Sequence, residues 1–283
     1  MSTTPQPTDW NLDPAALVAL TLLLVGYALA VGPLRARMPE SQPVPRKLIV
    51  RFVAGWASLA LSVISPLDTL GRYYLFSAHT AQLFIIITLS APLLMAGLPD
   101  WLMRLILPTR RLREASGGLL FSVIAVVLFN GLILLWHAGP LYEAAIHSDF
   151  WHDMQLLTFV VAGMLTWWPL LTPANHQIRL SSPLQILYLA GESIPLDVFG
   201  VYAIFAQGII FYHTYAVAPH FWGISASIDQ QIAGGILAVP GNVIDVILMS
   251  VVFFAWIERM ERAQRERERL ADEQTAQVSG TGE

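Results

Sequence analysis

Seven apolar segments, each long enough to cross a lipid bilayer, follow one another along this chain of 283 residues. A helical span needs about 20 mostly apolar residues, and its backbone polar groups must bond within the segment. The predicted spans are Ala15–Leu34, Leu48–Ser65, Tyr74–Leu98, Gly117–His137, Trp151–Leu171, Pro183–Phe211 and Gln231–Glu258. The sequence therefore predicts an all-α, polytopic membrane protein built as a seven-transmembrane-helix bundle.

The composition excludes several classes of protein. Only 13% of the residues are charged, against about 25% in a soluble domain. The chain has no cysteine, so disulfides and thiolate metal sites are excluded and any soft metal ligand must be a methionine. The sequence contains no P-loop, dinucleotide fingerprint or nucleophile elbow, and its loops are short. We therefore expect a lipid-embedded protein that is neither an enzyme nor a nucleic-acid-binding protein.

The basic residues lie on alternate loops. Every Lys and Arg except Arg72 falls near the inner ends of the spans, in the loops after the first, third and fifth spans or in the C-terminal tail. Because basic residues concentrate on the cytoplasmic side, we expect the N-terminus outside and the C-terminus in the cytoplasm. The chain then divides into a polar outer segment (1–13), a membrane domain (14–258) and a charged cytoplasmic tail (259–283).

All but one of the histidines fall at the outer ends of the predicted spans. His79, His137 and His152 lie at similar depth on three different helices, and His213, after the sixth span, could supply a fourth ligand. Imidazole is the commonest protein metal ligand and titrates near neutral pH. The cluster therefore points to metal or proton chemistry at the outer face.

Polar neighbours on the same side suit the support of a metal site, because a ligating imidazole usually donates its other N–H to a carboxylate or carbonyl. Gln82 shares a helix face with His79. Met154 is a further candidate ligand, although it could join His152 only if the first helical turn frayed. The candidate carboxylates are Asp68, Asp153 and Asp229.

The residues alone leave the metal open. Two or three histidines with an optional methionine suit copper, whereas imidazole alone also suits zinc or haem iron. His137 and His152 each follow a tryptophan, and histidine beside tryptophan is common in the aromatic belt of membrane proteins. The alternative interpretation is that these histidines belong to the aromatic belt and bind no metal.

The sixth span carries polar residues in its interior. Pro195 predicts a kink and frees a backbone carbonyl one turn earlier, to which a neutral carboxyl could donate. Because intramembrane carboxylates usually face the bundle, we expect Glu192 or Asp197 to point toward Asn242 or Asp245 of the seventh span. These polar side chains have two interpretations. They form a path for protons or ions, or they form hydrogen bonds that hold the helices together.

Several of these residues belong to an ordered series of motifs. From about Leu48 to Trp256, this series resembles the CtaG family of bacterial cytochrome c oxidase assembly factors; the order is specific, although no single motif is. The motifs are Ser65-Pro-Leu-Asp68, Ser77-Ala-His79-Thr-Ala-Gln82, Pro92-Leu-Leu, Gly97-Leu-Pro99, Trp136-His137-Ala-Gly-Pro140-Leu-Tyr142, Trp151-His152-Asp-Met, Asp229-Gln230-Gln231-Ile-Ala-Gly234-Gly235 and Val239-Pro240-Gly241.

The resemblance implies a seven-helix protein of the bacterial plasma membrane that helps haem-copper oxidases mature, with oxidase subunits as partners and copper delivery as its proposed role. The family's histidines fall on His79, His137 and His152. Many members carry a further histidine four residues after the one at His79 and four residues after the one at His152. This chain has Leu83 and Leu156 at those two positions. Each departure removes an i,i+4 pair of ligands from one helix face. The family's Asp-Gln-x-x-Gly-Gly segment falls on Asp229, Gln230, Gly234 and Gly235.

We therefore predict an assembly factor that holds or passes copper at the outer membrane face. A membrane haem protein that transfers electrons, with His79 and His152 as axial ligands, is one alternative, and a metal-free assembly scaffold is another. A metal or proton transporter using Glu192, Asp197 and Asp245 is less favoured, because the sequence has no internal repeat.

Overall fold

The computed structural model describes residues 5–38, 41–106, 109–116, 118–171, 180–206, 208 and 210–280. Every regular element in these ranges is a helix. Seven helices there are long and apolar enough to cross a membrane, which confirms the predicted all-α fold. The first to seventh spanning helices are Pro14–Val31, Arg46–Ile64, Phe76–Ala96, Leu119–Trp136, Asp149–Leu171, Ser182–Phe205 and Ala226–Glu273.

The third spanning helix forms the centre of the bundle. Its apolar stretch is 61% buried, against 17% for that of the first helix. Glycines let its neighbours approach closely. A Cβ on Gly55 of the second helix would lie 2.6 Å from the Leu94 backbone nitrogen, and one on Gly163 of the fifth helix would lie 2.9 Å from the Cβ of Ala91. His79 is therefore anchored on the most enclosed helix of the protein.

Short helices connect the spans at the end of the bundle that carries His79, His137 and His152, called the histidine end below. The N-terminal segment packs on the same end, because the hydroxyl of Thr69 donates to the carbonyl of Asp9 at 2.9 Å. The connecting helices at this end are Pro66–Tyr73, Gly139–His147 and His213–Val217.

Arg72 departs from the predicted charge pattern, and its contacts explain why it lies at the histidine end. Its side chain is 8% exposed, and its Nε donates to the carbonyl of Ile146 at 2.9 Å. A terminal guanidinium nitrogen lies 2.9 Å from Oδ1 of Asp149, and the guanidinium carbon lies 5.1 Å from the ring centroid of Tyr73. Arg72 thus ties a connecting helix to the start of the fifth spanning helix.

The sixth spanning helix breaks at the predicted kink. It consists of Ser182–Gly191 and Ile194–Phe205, with Pro195 in the first turn of the second part. The predicted extension of this helix to Phe211 is wrong. The helix ends at Phe205, and Gly208 adopts a φ of +76°, which favours glycine.

The seventh spanning helix begins at Ala226, earlier than predicted, and is divided by Pro240. Its second part, Pro240–Gly280, continues well past the apolar stretch into the charged tail. The basic residue Arg179 and the remaining histidine, His176, lie outside the described residues.

Candidate functional site

Two buried histidines pack together at the histidine end. His79 lies in the first turn of the third spanning helix, and His137 caps the end of the fourth. Their side chains are 3% and 6% exposed, and their ring centroids lie 5.9 Å apart. Among the described residues, neither Nε2 atom has a hydrogen-bond partner. Two buried imidazole nitrogens without partners therefore lie within one small region.

Hydrogen bonding fixes the tautomer of His137. Its Nδ1 lies 2.7 Å from the carbonyl oxygen of Ile133, which can only accept, so Nδ1 carries the proton. Burial lowers the pKa of His137 to about 4, although the bond to Ile133 acts in the opposite direction. The ring is therefore neutral near pH 7, and its Nε2 has a free lone pair. This is the form in which histidine binds a metal.

Aromatic rings surround the histidine pair. The ring centroid of Tyr142 lies 5.1 Å from that of His79, and the ring centroid of Phe199 lies 5.2 Å from that of His137. Tyr212 stacks on Tyr142 with centroids 3.7 Å apart and donates its hydroxyl to the carbonyl of His137 at 2.9 Å. This shell limits the access of water and fixes the backbone that carries His137.

His152 belongs to a separate hydrogen-bond network. Its Nε2 lies 2.9 Å from Oδ1 of Asp68. The same oxygen accepts from the amide of Gln82 at 2.7 Å, and the other oxygen of Asp68 accepts from the amide of Asn11 at 2.7 Å. Gln82 also donates to the carbonyl of Ser62 at 2.8 Å. One predicted carboxylate thus contacts a predicted ligand directly.

The three histidines do not form one ligand set in this structure. Within the described ranges, no group of three or more His, Asp or Glu side chains is arranged to hold a metal ion. His79 and His137 are adjacent, whereas the Nε2 of His152 is engaged by Asp68. The three-histidine site stays a prediction, and forming it through that nitrogen requires His152 to turn away from Asp68.

The other predicted site residues, ligands and supporting carboxylate alike, lie in different surroundings. His213 is exposed, Asp153 is half-buried, and Met154 packs against the main apolar core. Leu83 and Leu156, at the positions where many family members carry histidine, are 1% and 5% exposed in the same core. At these two positions, four residues after His79 and His152, the chain therefore carries apolar side chains and no ligand.

Asp229 holds the start of the helix that carries His79. It lies on the seventh spanning helix, is 2% exposed, and accepts from the backbone nitrogens of Phe76 at 2.6 Å and Ser77 at 3.1 Å. The hydroxyl of Ser77 donates to the same carboxylate. The first N–H groups of a helix have no partner within it, so a carboxylate here acts as a cap supplied by another helix.

The predicted intramembrane carboxylates line one cavity of about 60 Å³ at the break in the sixth helix. The hydroxyl of Ser193 lies 3.0 Å from Oδ2 of Asp197 and 3.5 Å from Oδ2 of Asp245. The hydroxyl of Thr166 donates to the carboxylate of Glu192. The prediction that Glu192 or Asp197 faces the bundle is confirmed.

The donor to the broken backbone differs from the one expected. The amide nitrogen of Asn130, on the fourth spanning helix, donates to the carbonyl of Glu192 at 2.6 Å. We expected a carboxyl group to donate near this point. The amide does so because the fourth helix passes beside the break, a neighbour relation that the sequence does not reveal.

Gln155 is a further candidate site residue, and the sequence prediction did not single it out. It is 2% exposed, and within the described part of the chain its Nε2 has no hydrogen-bond partner. It lies three residues after His152 and four before Phe159, whose ring centroid is 6.0 Å from that of His79. Residues at these spacings share one helix face. The i,i+3 spacing from His152 was the signal that could have identified it.

Comparison with known families supplies a match over most of the chain. The family model described as cytochrome c oxidase caa3 assembly factor (Caa3_CtaG) matches residues 25–259, which include the histidine pair, Asp68 and Asp229. The searches of curated proteins and of solved structures found no match.

Proposed function

The chain belongs to the cytochrome c oxidase caa3 assembly factor family, and we propose that it holds or delivers copper at the outer face of the bacterial plasma membrane while a haem-copper oxidase matures. Copper is the cargo of this protein and not a resident cofactor. Subunits of the oxidase are the proposed partners, and we propose no catalytic step for the chain itself.

The observation that carries the copper proposal is the pair formed by His79 and His137. Both Nε2 atoms are buried and, among the residues described, have no hydrogen-bond partner, which is costly unless another group satisfies them. Imidazole nitrogen is a suitable copper ligand. A copper ion bound by this pair would satisfy both nitrogens at once.

The proposed orientation has the histidine end outside. Asn11 bonds to Asp68 at the histidine end, whereas Arg259 of the basic tail donates to Ser182 at the start of the sixth helix. Basic residues favour the cytoplasmic side, so the tail belongs inside. A C-terminal reporter should be active in the cytoplasm, and activity only in the periplasm would contradict this orientation.

A gene-deletion experiment tests the assembly role. Deleting the gene should lower haem-copper oxidase activity while the oxidase transcript stays intact, and added copper should restore part of the activity. The wild-type gene should complement fully and the His79→Ala/His137→Ala double variant poorly. His220→Ala, which changes an exposed histidine, is the matched control. Normal oxidase activity in the deletion strain would overturn the assembly role.

A metal-free assembly scaffold is the second candidate function. The engagement of His152 by Asp68 favours it, because a hydrogen-bonded histidine already has a structural role. In that case the double variant should mature the oxidase as well as the wild type does, and purified protein should contain no copper. Elemental analysis of the two proteins separates the two candidates.

A further inference from the structure

We propose that His79 and His137 alone bind one Cu(I) ion, as a two-coordinate pair, while His152 stays on Asp68. This inference rests on the proposed copper role and specifies the oxidation state and the ligand number. It differs from the three-histidine site that the sequence suggests. Geometry, the charge of the surroundings and the engagement of the third histidine each support it.

The spacing of the two rings suits a single shared ion. Metal–nitrogen bonds to histidine are about 2 Å long, so two imidazoles on opposite sides of one ion have ring centroids about 6 Å apart. The centroids of His79 and His137 are 5.9 Å apart. Nδ1 of His137 donates to a carbonyl, which leaves Nε2 as its only metal-binding nitrogen, and that is the atom without a partner in the described structure.

The charge of the surroundings favours a monovalent ion. The nearby carboxylates are already engaged, since Asp68 accepts from His152 and Asp229 accepts from the start of the third helix. The pair itself is enclosed by aromatic rings, among them Tyr142. Burying a charge without a compensating anion is costly, and the cost grows steeply with the charge of the ion. Two neutral ligands therefore suit Cu(I) better than Cu(II) or Zn(II), which also require more ligands.

Further ligands are scarce around the pair. Leu83, one helical turn inward from His79, lies in the apolar core, as does Leu156 one turn inward from His152. Recruiting His152 through Nε2 would break its bond to Asp68 and leave a buried carboxylate with one partner fewer. Gln155, on the face of the fifth helix that carries His152 and Phe159, also has an unpartnered polar atom in the described structure, but an amide is a poor ligand for a soft ion.

The test is an anaerobic titration of the full-length purified protein with Cu(I) in competition with a coloured Cu(I) chelator. We expect one Cu(I) per chain, and X-ray absorption should find two nitrogen neighbours. His79→Ala and His137→Ala should each weaken binding by about 100-fold or more, since losing even an outer-shell partner costs about 10–100-fold. His152→Ala and His220→Ala should stay within a few-fold of wild type, and excess Zn(II) should not displace Cu(I).

The outcomes separate this inference from the broader proposal. Three nitrogen neighbours, or a loss of affinity in His152→Ala equal to that in His79→Ala, would overturn the two-coordinate pair and leave the copper role standing. Displacement by Zn(II) would overturn the choice of Cu(I). Absence of copper binding by folded wild-type protein would overturn both. If an alanine variant unfolds, as judged by thermal unfolding, the nitrogen count in the wild type still decides the ligand number.

Discussion

The Nε2 atom of His152 lies 2.9 Å from Oδ1 of Asp68, and the two side chains are 3% and 1% exposed. This buried contact joins the fifth spanning helix to the connecting helix Pro66–Tyr73. It also engages the histidine that the sequence suggests as a third metal ligand. The same contact therefore stabilises the histidine end and occupies one of the two ring nitrogens that His152 could offer to a metal.

Removing the carboxylate should destabilise the protein strongly. Asp68→Ala leaves His152, Gln82 and Asn11 without their shared acceptor, and each buried donor left unsatisfied costs about 1–3 kcal/mol. Asp68→Asn should cost less, because one oxygen remains. Thermal unfolding in detergent measures both, with the exposed Asp272→Ala as control. An unchanged midpoint for Asp68→Ala would show that the contact contributes little.

The cap provided by Asp229 should affect metal binding as well as stability. Asp229→Ala removes the acceptor for the backbone of Phe76 and Ser77, and losing a cap costs about 1 kcal/mol. Because this helix carries His79, Cu(I) affinity should fall too. Ser225→Ala is the matched control, since Ser225 caps only its own helix through Ile228. Equal Cu(I) affinities in the two variants would argue against a positioning role for Asp229.

The two glycines of the Asp-Gln-x-x-Gly-Gly segment should respond differently to substitution. A Cβ on Gly234 would lie 2.4 Å from the carbonyl oxygen of Gly200, whereas a Cβ on Gly235 would meet nothing within 4 Å. Gly234→Ala should therefore push the sixth and seventh helices apart and cost about 1–3 kcal/mol. Gly235→Ala should be neutral or stabilising by up to about 1 kcal/mol. Thermal unfolding of the two variants side by side tests the difference, and equal shifts would contradict the close approach.

The features that the sequence predicted depend on local composition. The number of spans follows from hydropathy, and the break in the sixth helix follows from Pro195, because both act over a few neighbouring residues. The end of the sixth helix was misplaced because hydropathy reports apolar side chains and not backbone conformation. The segment around Phe211 is apolar but not helical, and its backbone nitrogen donates to Gln230 of the seventh helix at 2.9 Å.

The features that the sequence missed depend on pairs far apart in the chain. His152 and Asp68 are separated by 84 residues, and Asp229 and Phe76 by 153. His152, Asp68 and Asp229 stood out as polar within an apolar context, but no periodicity indicates which partner each one meets. The helix packing selects the partner, so the candidate ligands could be predicted and their division into a pair and a separate histidine could not.

The last prediction concerns Glu192 at the break in the sixth helix. The Glu192 carboxylate accepts from Thr166, and the cavity beside it also contains Asp197 and Asp245. Glu192→Gln keeps an oxygen acceptor of the same length, so a structural role predicts near-normal folding, protein level and oxidase maturation. Glu192→Leu should be the less stable variant by about 1–3 kcal/mol, because the buried hydroxyl of Thr166 loses its carboxylate acceptor and keeps only the more distant hydroxyl of Tyr188, at 3.2 Å. Complementation of the deletion strain with both variants measures maturation, and immunoblotting measures protein level. If Glu192→Gln abolished maturation at a normal protein level, the carboxylate would need its charge or its proton, and a proton-coupled role would replace the structural one.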